Sequence, residues 1–224
     1  MKIIGHRGFK AEYPENTLAS FRHAFACGIN AVELDVHLTL DRQVVVTHDF
    51  TLSHRLFTHR SGKRFAVEPL ISELPFTDLR FYDCGNHQNH KTGFPRNQVV
   101  GEQVPLLAEV LALKNQYPDL AIEWNVEIKY ADILGLHPRE VVVEKVLAAI
   151  EEYGELDKTT IFSFDVEVLR RVKKLMPRQR INFLYEAKSL LVPLEQWLDV
   201  DIRIPDWRHC RQIVDELGAE VFSP

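Results

Sequence analysis

The sequence predicts an α/β protein in which alternating strands and helices close into a parallel barrel. First, short apolar strands alternate with amphipathic helices along most of the 224 residues, a rhythm typical of parallel sheets. Second, polar residues gather where several predicted strands end, which is where α/β barrels place their active sites. Third, the segment 50–104 interrupts this rhythm and is rich in His, Arg, Pro, Gly and Asn. We interpret that segment as an insertion within a single domain that covers residues 1–224.

The individual elements follow from apolar periodicity and from capping and breaking residues. Strands are predicted near residues 3, 33, 45, 127, 161, 183 and 221. Helices are predicted over 14–28, 104–117, 138–153, 165–176, 190–198 and 205–217. A right-handed parallel barrel is the natural closure for such an order, because an open sheet would leave unpaired edges at the first and last strands.

Composition excludes several classes of function. The net charge of −5 predicts no broad basic surface for nucleic acid. No apolar run is long enough to span a bilayer, and an apolar strand begins almost at Met1, so no secretory signal is expected. The three cysteines, Cys27, Cys84 and Cys210, are far apart and predict free thiols rather than disulfides or a zinc site. These features predict a cytoplasmic protein.

The segment 31–49 contains the densest group of candidate functional residues. Glu33 and Asp35 share one face of their strand, because side chains alternate along a strand. His48 stands at the end of the following strand. Two neighbouring carboxylates and a histidine form a candidate metal and acid–base site. The alternative is the exposed face of a half-buried strand.

Two further segments offer residues to the same site. In Gly5-His6-Arg7-Gly8, His6 could transfer a proton and Arg7 could grip a phosphate, although a surface turn would explain the tetrad equally well. Glu127 and Lys129 share a strand face in N-V-E-I-K. They predict a third metal carboxylate and a phosphate-binding cation, with an internal ion pair as the alternative. Ser163, where another strand ends, is a candidate for lining the pocket.

Histidines and basic residues within the insertion are weaker candidates. The basic cluster 54–64 carries interleaved apolar residues and could meet an anionic lipid surface, but a solvated loop accounts for it more simply. His87 and His90 have a spacing that suits a metal, yet no carboxylate pair lies near them in the sequence. We therefore interpret both as surface histidines.

Five motifs in order resemble the glycerophosphodiester phosphodiesterase family: H-R-G, P-E-N-T, E-L-D-V, V-V-T-H-D and N-V-E-I-K. The resemblance implies an enzyme that splits a small glycerophosphodiester into glycerol 3-phosphate and an alcohol. It implies His6 and His48 as the acid–base pair, with either one as the acid. It also implies Glu33, Asp35 and Glu127 as metal ligands, and attack by the neighbouring glycerol hydroxyl through a cyclic phosphate.

Three oxygen donors without a soft ligand suit Mg²⁺ or Ca²⁺. Arg7 and Lys129 would share the remaining charge of the phosphate, and Ser163 would complete the substrate contacts. Two alternatives remain open. One is a lysophospholipase D that acts on lipid-bearing diesters with the same residues. The other is a truncated, non-catalytic relative.

The family's barrel has eight strands and ends in a W-T-V-N-like block followed by a helix. Neither feature occurs after the predicted seventh strand near residue 221. We therefore expect a barrel that lacks its last strand and helix, either because the chain is truncated or because an oligomer partner completes it.

Overall fold

The computed structural model describes residues 3–61, 67–86, 95–132, 137–184, 207–219 and 221–223. Helices α1–α6 span Leu18–Ala26, Phe76–Leu79, Leu107–Leu111, Arg139–Glu152, Val166–Leu175 and Trp207–Leu217. Strands β1–β8 span Ala31–Leu38, Val44–Val46, Thr58–His59, Tyr82–Asp83, Glu123–Ile128, Thr159–Ser163, Arg180–Leu184 and Val221–Ser223. Outside the described residues lie the predicted helix 190–198, both His87 and His90, and part of the basic cluster 54–64.

The main sheet has the strand order β2-β1-β5-β6-β7-β8. From β1 to β8 all neighbours are parallel. A mostly parallel sheet with helices between its strands confirms the predicted α/β class. Within the part of the chain that the structure describes, β2 and β8 are the outer strands of this sheet, so closure into a barrel stays a prediction.

The strand predicted near residue 45 is present, but it is not one of the parallel strands of the barrel that we expected. β2 pairs antiparallel with β1, in a register that runs from Leu38 opposite Val44 to Val36 opposite Val46. The connection over 39–43 is too short for the crossover that a parallel pair needs, whereas it suits a hairpin. Arg42, with φ of 60°, turns the chain within this connection.

In place of the predicted first strand, the structure has a single β-bridge. Gly5 forms one parallel bridge with Val32, in which the Gly5 N–H donates to the Ala31 carbonyl at 2.8 Å. Ile3 and Ile4 lie outside any strand and are 60% and 46% exposed. A strand over these two residues is therefore wrong, yet the bridge still brings the following loop alongside β1.

Burial of β1 along its whole length fits its place inside the sheet, between β2 and β5. All eight residues of β1 are buried, as expected where helices cover a parallel sheet. α4 packs against β1 and β5, and α5 packs against β6 and β7. The side chain of Thr17 accepts a hydrogen bond from the Ser20 N–H at the start of α1. Asp165 caps α5 by accepting from the Val168 N–H.

The segment 50–104 has a small core of its own. Val44 and Val46 face the main core, whereas Val45, between them, belongs to the second cluster, because alternate strand residues point to opposite faces. The other buried members of this cluster are Leu52, Leu56, Phe57, Ile71, Leu79, Tyr82, Cys84 and Val104. The segment thereby covers the second face of β2. Among the described helices, none combines the length and apolarity needed to cross a bilayer.

Candidate active site

An acidic cluster forms where β1 and β5 run side by side. Asp35 pairs with Glu127, and Glu33 pairs with Asn125. Paired residues of neighbouring strands point to the same face, so the three carboxylates converge. Their oxygens include a set that lies within 4.8 Å of one another. Glu33, Asp35 and Glu127 are only 9%, 1% and 7% exposed, so water screens their charges poorly.

Two cations accompany these carboxylates. The Nζ atom of Lys129 lies 2.6 Å from Oε1 of Glu127 and 3.0 Å from Oδ1 of Asp35. The Nε atom of Arg7 lies 3.4 Å from Oδ2 of Asp35. Buried charges are tolerated only when they are paired. Lys129 and Arg7 therefore offset the cost of burying these carboxylates, and they also bring positive charge to the edge of the cluster.

The carboxylates differ in their affinity for protons. Burial raises the pKa of Glu33 to about 8, and the neighbouring charge of Asp35 adds to the shift. Burial also opposes ionisation of Asp35, but the charges of Lys129, His48 and Arg7 together with the hydrogen bond from Asn16 outweigh it and lower the pKa of Asp35. Burial raises the pKa of Glu127 more strongly than Lys129 lowers it. Asp35 therefore favours the ionised form, whereas burial opposes ionisation of Glu33 and Glu127.

The loop that follows Gly5 is shaped by its glycines. Arg7 and Gly8 have φ of 54° and 83°, and a Cβ atom at Gly8 would lie 2.6 Å from the Ser20 hydroxyl oxygen. The Arg7 N–H donates to Oε2 of Glu33 at 2.9 Å. Its guanidinium Nη1 donates to Oε1 of Glu15 at 2.8 Å. The tetrad is therefore fastened to the acidic cluster and is not a free surface turn.

His6 stands at the exposed rim of the cluster. Its Nε2 atom lies 3.7 Å from Oε2 of Glu33, and its side chain is 55% exposed. Partial burial, followed by the positive charges of Lys10 and Arg7, lowers the pKa of His6 to about 4. The imidazole is thus neutral at neutral pH, which is the form in which it can accept a proton.

His48 reaches the same end of the sheet from the hairpin. It follows β2 directly, and its charge contributes to the lowered pKa of Asp35. Its Nδ1 atom lies 2.8 Å from Oδ1 of Asp49, and its side chain is 31% exposed. Each predicted acid–base histidine therefore lies beside a carboxylate: His6 beside Glu33 of the cluster, and His48 beside Asp49.

Ser163 is not placed among these groups. It is 1% exposed, its hydroxyl donates to the Ile128 carbonyl at 3.0 Å, and it accepts from the Asp165 N–H at 3.1 Å. The hydroxyl thus joins the ends of two strands and the start of α5. Its predicted contact with a substrate stays a prediction.

Glu15 and Asn16 of the P-E-N-T motif belong to the site, although neither is among the predicted site residues. Asn16, with φ of 57°, donates from Nδ2 to Oδ2 of Asp35 at 2.8 Å. Glu15 holds the guanidinium of Arg7. A signal was present: asparagine tolerates positive φ, and positive φ outside glycine often marks functional loops.

The donor set fits a hard divalent cation. Oδ1 of Asp35 and Oε1 of Glu127 are buried without a hydrogen-bond partner among the described residues, and the Nζ atom of Lys129 lies within 3.0 Å of each. Clustered carboxylate oxygens are the ligands that Mg²⁺ and Ca²⁺ prefer. The cluster can therefore take part in metal binding.

The sequence model of the glycerophosphoryl diester phosphodiesterase family matches residues 6–200. This stretch is most of the chain and includes the acidic cluster, both histidines and both cations. The chain belongs to the glycerophosphoryl diester phosphodiesterase family. The match confirms the predicted family and the prediction of an enzyme of the phosphodiesterase class.

Three members of the family illustrate the similarity. A glycerophosphodiester phosphodiesterase of Caldanaerobacter subterraneus is 33% identical over 185 residues, which cover 83% of this chain and 67% of the relative. Lysophospholipase D GDPD1 of Rattus norvegicus is 31% identical over 196 residues, covering 85% and 53%. A crystal structure described as a glycerophosphoryl diester phosphodiesterase of Silicibacter pomeroyi superimposes with a TM-score of 0.84 at 28% identity, covering 99% and 74%. The present chain thus spans from about half to three quarters of the length of these relatives.

Proposed function

We propose that this protein is a metal-dependent phosphodiesterase that hydrolyses glycerophosphodiesters to glycerol 3-phosphate and an alcohol. The observation that carries the proposal is the convergence of carboxylates from two strands within 4.8 Å of one another, beside two histidines and two cations. Relatives named glycerophosphodiester phosphodiesterase support the same substrate class.

Glu33, Asp35 and Glu127 would hold the cation, either Mg²⁺ or Ca²⁺. Once bound, such an ion supplies Lewis-acid stabilisation of the charge on the phosphodiester. Arg7 and Lys129 would bind the phosphate oxygens, since both already face the cluster. The position of Ser163 provides less support for its role as a third substrate contact.

His6 and His48 would exchange the protons. One accepts the proton of the glycerol hydroxyl that attacks phosphorus, and the other protonates the departing alcohol oxygen. Water then opens the resulting cyclic phosphate, with the two histidines in reversed roles. The neutral imidazole of His6 suits it to accept the first proton.

A lysophospholipase D activity on lipid-bearing diesters is the second candidate. It is supported by the rat relative of that name and by Phe164. This phenylalanine is 39% exposed, and the Nζ atom of Lys129 lies 5.8 Å from its ring centroid. An exposed aromatic ring beside the phosphate-binding cation could contact an acyl chain.

Release of choline and glycerol 3-phosphate from glycerophosphocholine tests the leading proposal. The purified protein is assayed with Mg²⁺, with Ca²⁺ and with EDTA, and lysophosphatidylcholine serves as the lipid substrate. We expect turnover of glycerophosphocholine that EDTA abolishes. Preference for lysophosphatidylcholine would favour the second candidate, and no turnover of either diester by folded protein with either ion would refute both.

A further inference from the structure

Asp49 makes contacts that neither metal binding nor phosphate binding requires. Its Oδ1 atom lies 2.8 Å from Nδ1 of His48. Its Oδ2 accepts from the Ser53 hydroxyl at 2.7 Å. The Nη2 group of Arg55 donates to both carboxylate oxygens at 3.2 Å. One carboxylate thus ties a candidate catalytic histidine to two residues of the segment 50–104.

The carboxylate of Asp49 can only accept hydrogen bonds when it is ionised. Burial opposes its ionisation, but the hydrogen bonds from His48 and Ser53, followed by the charge of Arg55, hold the pKa of Asp49 well below its usual range. Because the acceptor is fixed, the Nδ1 atom of His48 must carry the proton of this hydrogen bond. The Nε2 atom is then the nitrogen left for proton exchange.

The backbone of His48 is held from another side. The Nε2 atom of His37, on β1, lies 3.2 Å from the His48 carbonyl oxygen. A carbonyl accepts only, so the buried imidazole of His37 donates here. With its carbonyl fixed by β1 and its ring fixed by Asp49, His48 has little freedom to turn away.

We propose that Asp49 is a positioning residue that fixes the ring orientation and tautomer of His48. Ser53 and Arg55 hold Asp49 in turn, so the inserted segment takes part in catalysis through this chain of contacts. A carboxylate in this place also stabilises the imidazolium that forms when Nε2 takes up a proton. The kinetic part of the inference rests on the proposed function of His48.

Asp49→Asn tests the role of the charge with little change in shape. We expect kcat for glycerophosphocholine to fall by about 10²-fold or more with KM nearly unchanged, because the substituted group acts on proton transfer and not on binding. The pH profile of kcat should also move. Asp49→Glu, which keeps the carboxylate, should recover part of the lost rate.

Glu68→Gln is the matched control. Glu68 also braces this loop, by accepting from the His54 N–H at 2.7 Å and from the Thr51 hydroxyl at 3.3 Å, but it makes no contact with His48 among the described interactions. Its variant should keep the wild-type kcat. If it loses as much rate as Asp49→Asn, or if Asp49→Asn keeps the wild-type rate and pH profile, the positioning role is wrong.

A readout that needs no activity separates this inference from the proposed function. In ¹⁵N NMR spectra of the metal-free protein, with the His48 ring assigned from His48→Gln, we expect a protonated Nδ1 that Asp49→Asn shifts toward the Nε2-protonated tautomer. An unprotonated Nδ1 in the wild type would overturn the inference. A protonated Nδ1 in a protein that hydrolyses neither diester would refute the proposed function and leave the tautomer assignment standing.

Discussion

The Nζ atom of Lys129 lies 2.6 Å from Oε1 of Glu127, at the oxygen that a bound cation would also use. Lys129 follows β5 directly and stands two positions after Glu127, so the end of this strand brings the acid and its counter-charge together. Burial acts to lower the pKa of Lys129, but the charges of Asp35 and Glu127 outweigh it and raise that pKa. Lys129 is therefore a permanent cation that competes with a metal and attracts a phosphate.

Lys129→Met separates the competition with a metal from the attraction of a phosphate, while it keeps most of the aliphatic side chain. We expect kcat/KM to fall by about 10²-fold, the usual scale for removing one group that stabilises transition-state charge. Affinity for Mg²⁺ or Ca²⁺, measured by calorimetry, should not weaken, because a competing cation is gone. Lys158→Met is the control, since Lys158 precedes β6 and lies at the other end of that strand. Weaker metal binding in Lys129→Met would contradict this account.

Glu33→Gln tests the metal site from β1. The substitution keeps the shape and one oxygen but removes the charge, so we expect the affinity for the divalent cation to fall by about 10-fold or more. Higher concentrations of the ion should restore part of the turnover. Glu123→Gln, a change at the start of β5 away from the cluster, should leave metal binding unchanged. Equal affinities in Glu33→Gln and wild type would remove Glu33 from the ligand set.

His48→Ala tests the acid–base role directly. Loss of one proton-transfer group is expected to lower kcat by about 10²-fold or more, with metal affinity retained. His59→Ala is a suitable control, because His59 lies in the inserted segment, where its Nδ1 contacts the Ser61 hydroxyl. Near-normal turnover of His48→Ala would show that another group transfers this proton.

Strand periodicity predicted which site residues share a strand face, but not which strands lie next to each other. The alternation of side chains placed Glu33 with Asp35, and Glu127 with Lys129, from local sequence alone. That Asp35 lies directly beside Glu127 depends on the pairing of β1 with β5, two segments about ninety residues apart. No local pattern encodes such a register, so motif order and family resemblance had to supply it.

At other positions the same local pattern allowed two structures. An apolar strand looks alike in parallel and antiparallel sheets, so the direction of β2 was missed although the short connection 39–43 pointed to a hairpin. Asn16 suits a helix cap, yet Thr17 is the cap and Asn16 bonds to Asp35. Ser163 ends its strand as predicted, but its hydroxyl bonds to the backbone. The deciding contacts of Asn16 and Ser163 are long-range, whereas the direction of β2 follows from a local hairpin.

His37 predicts how stability changes with pH. Its imidazole is buried, and this burial lowers its pKa from 6.5 to about 4 in the folded protein. The unfolded chain therefore takes up a proton at His37 before the folded chain does, as the pH falls below about 6.5. The part of the folding stability that depends on neutral His37 is therefore fully present above about pH 6.5. It is lost as the pH falls from about 6.5 to about 4.

The measurement is the free energy of unfolding from urea titrations between pH 4 and 7.5 in EDTA, compared with His37→Gln. Glutamine keeps a donor that can reach the His48 carbonyl but does not titrate. A shift of this size corresponds to about 3 kcal/mol, so wild type should lose up to about that much more stability than the variant on acidification. Parallel pH curves for the two proteins would mean that His37 is equally easy to protonate in the folded and unfolded chains, which would contradict this account.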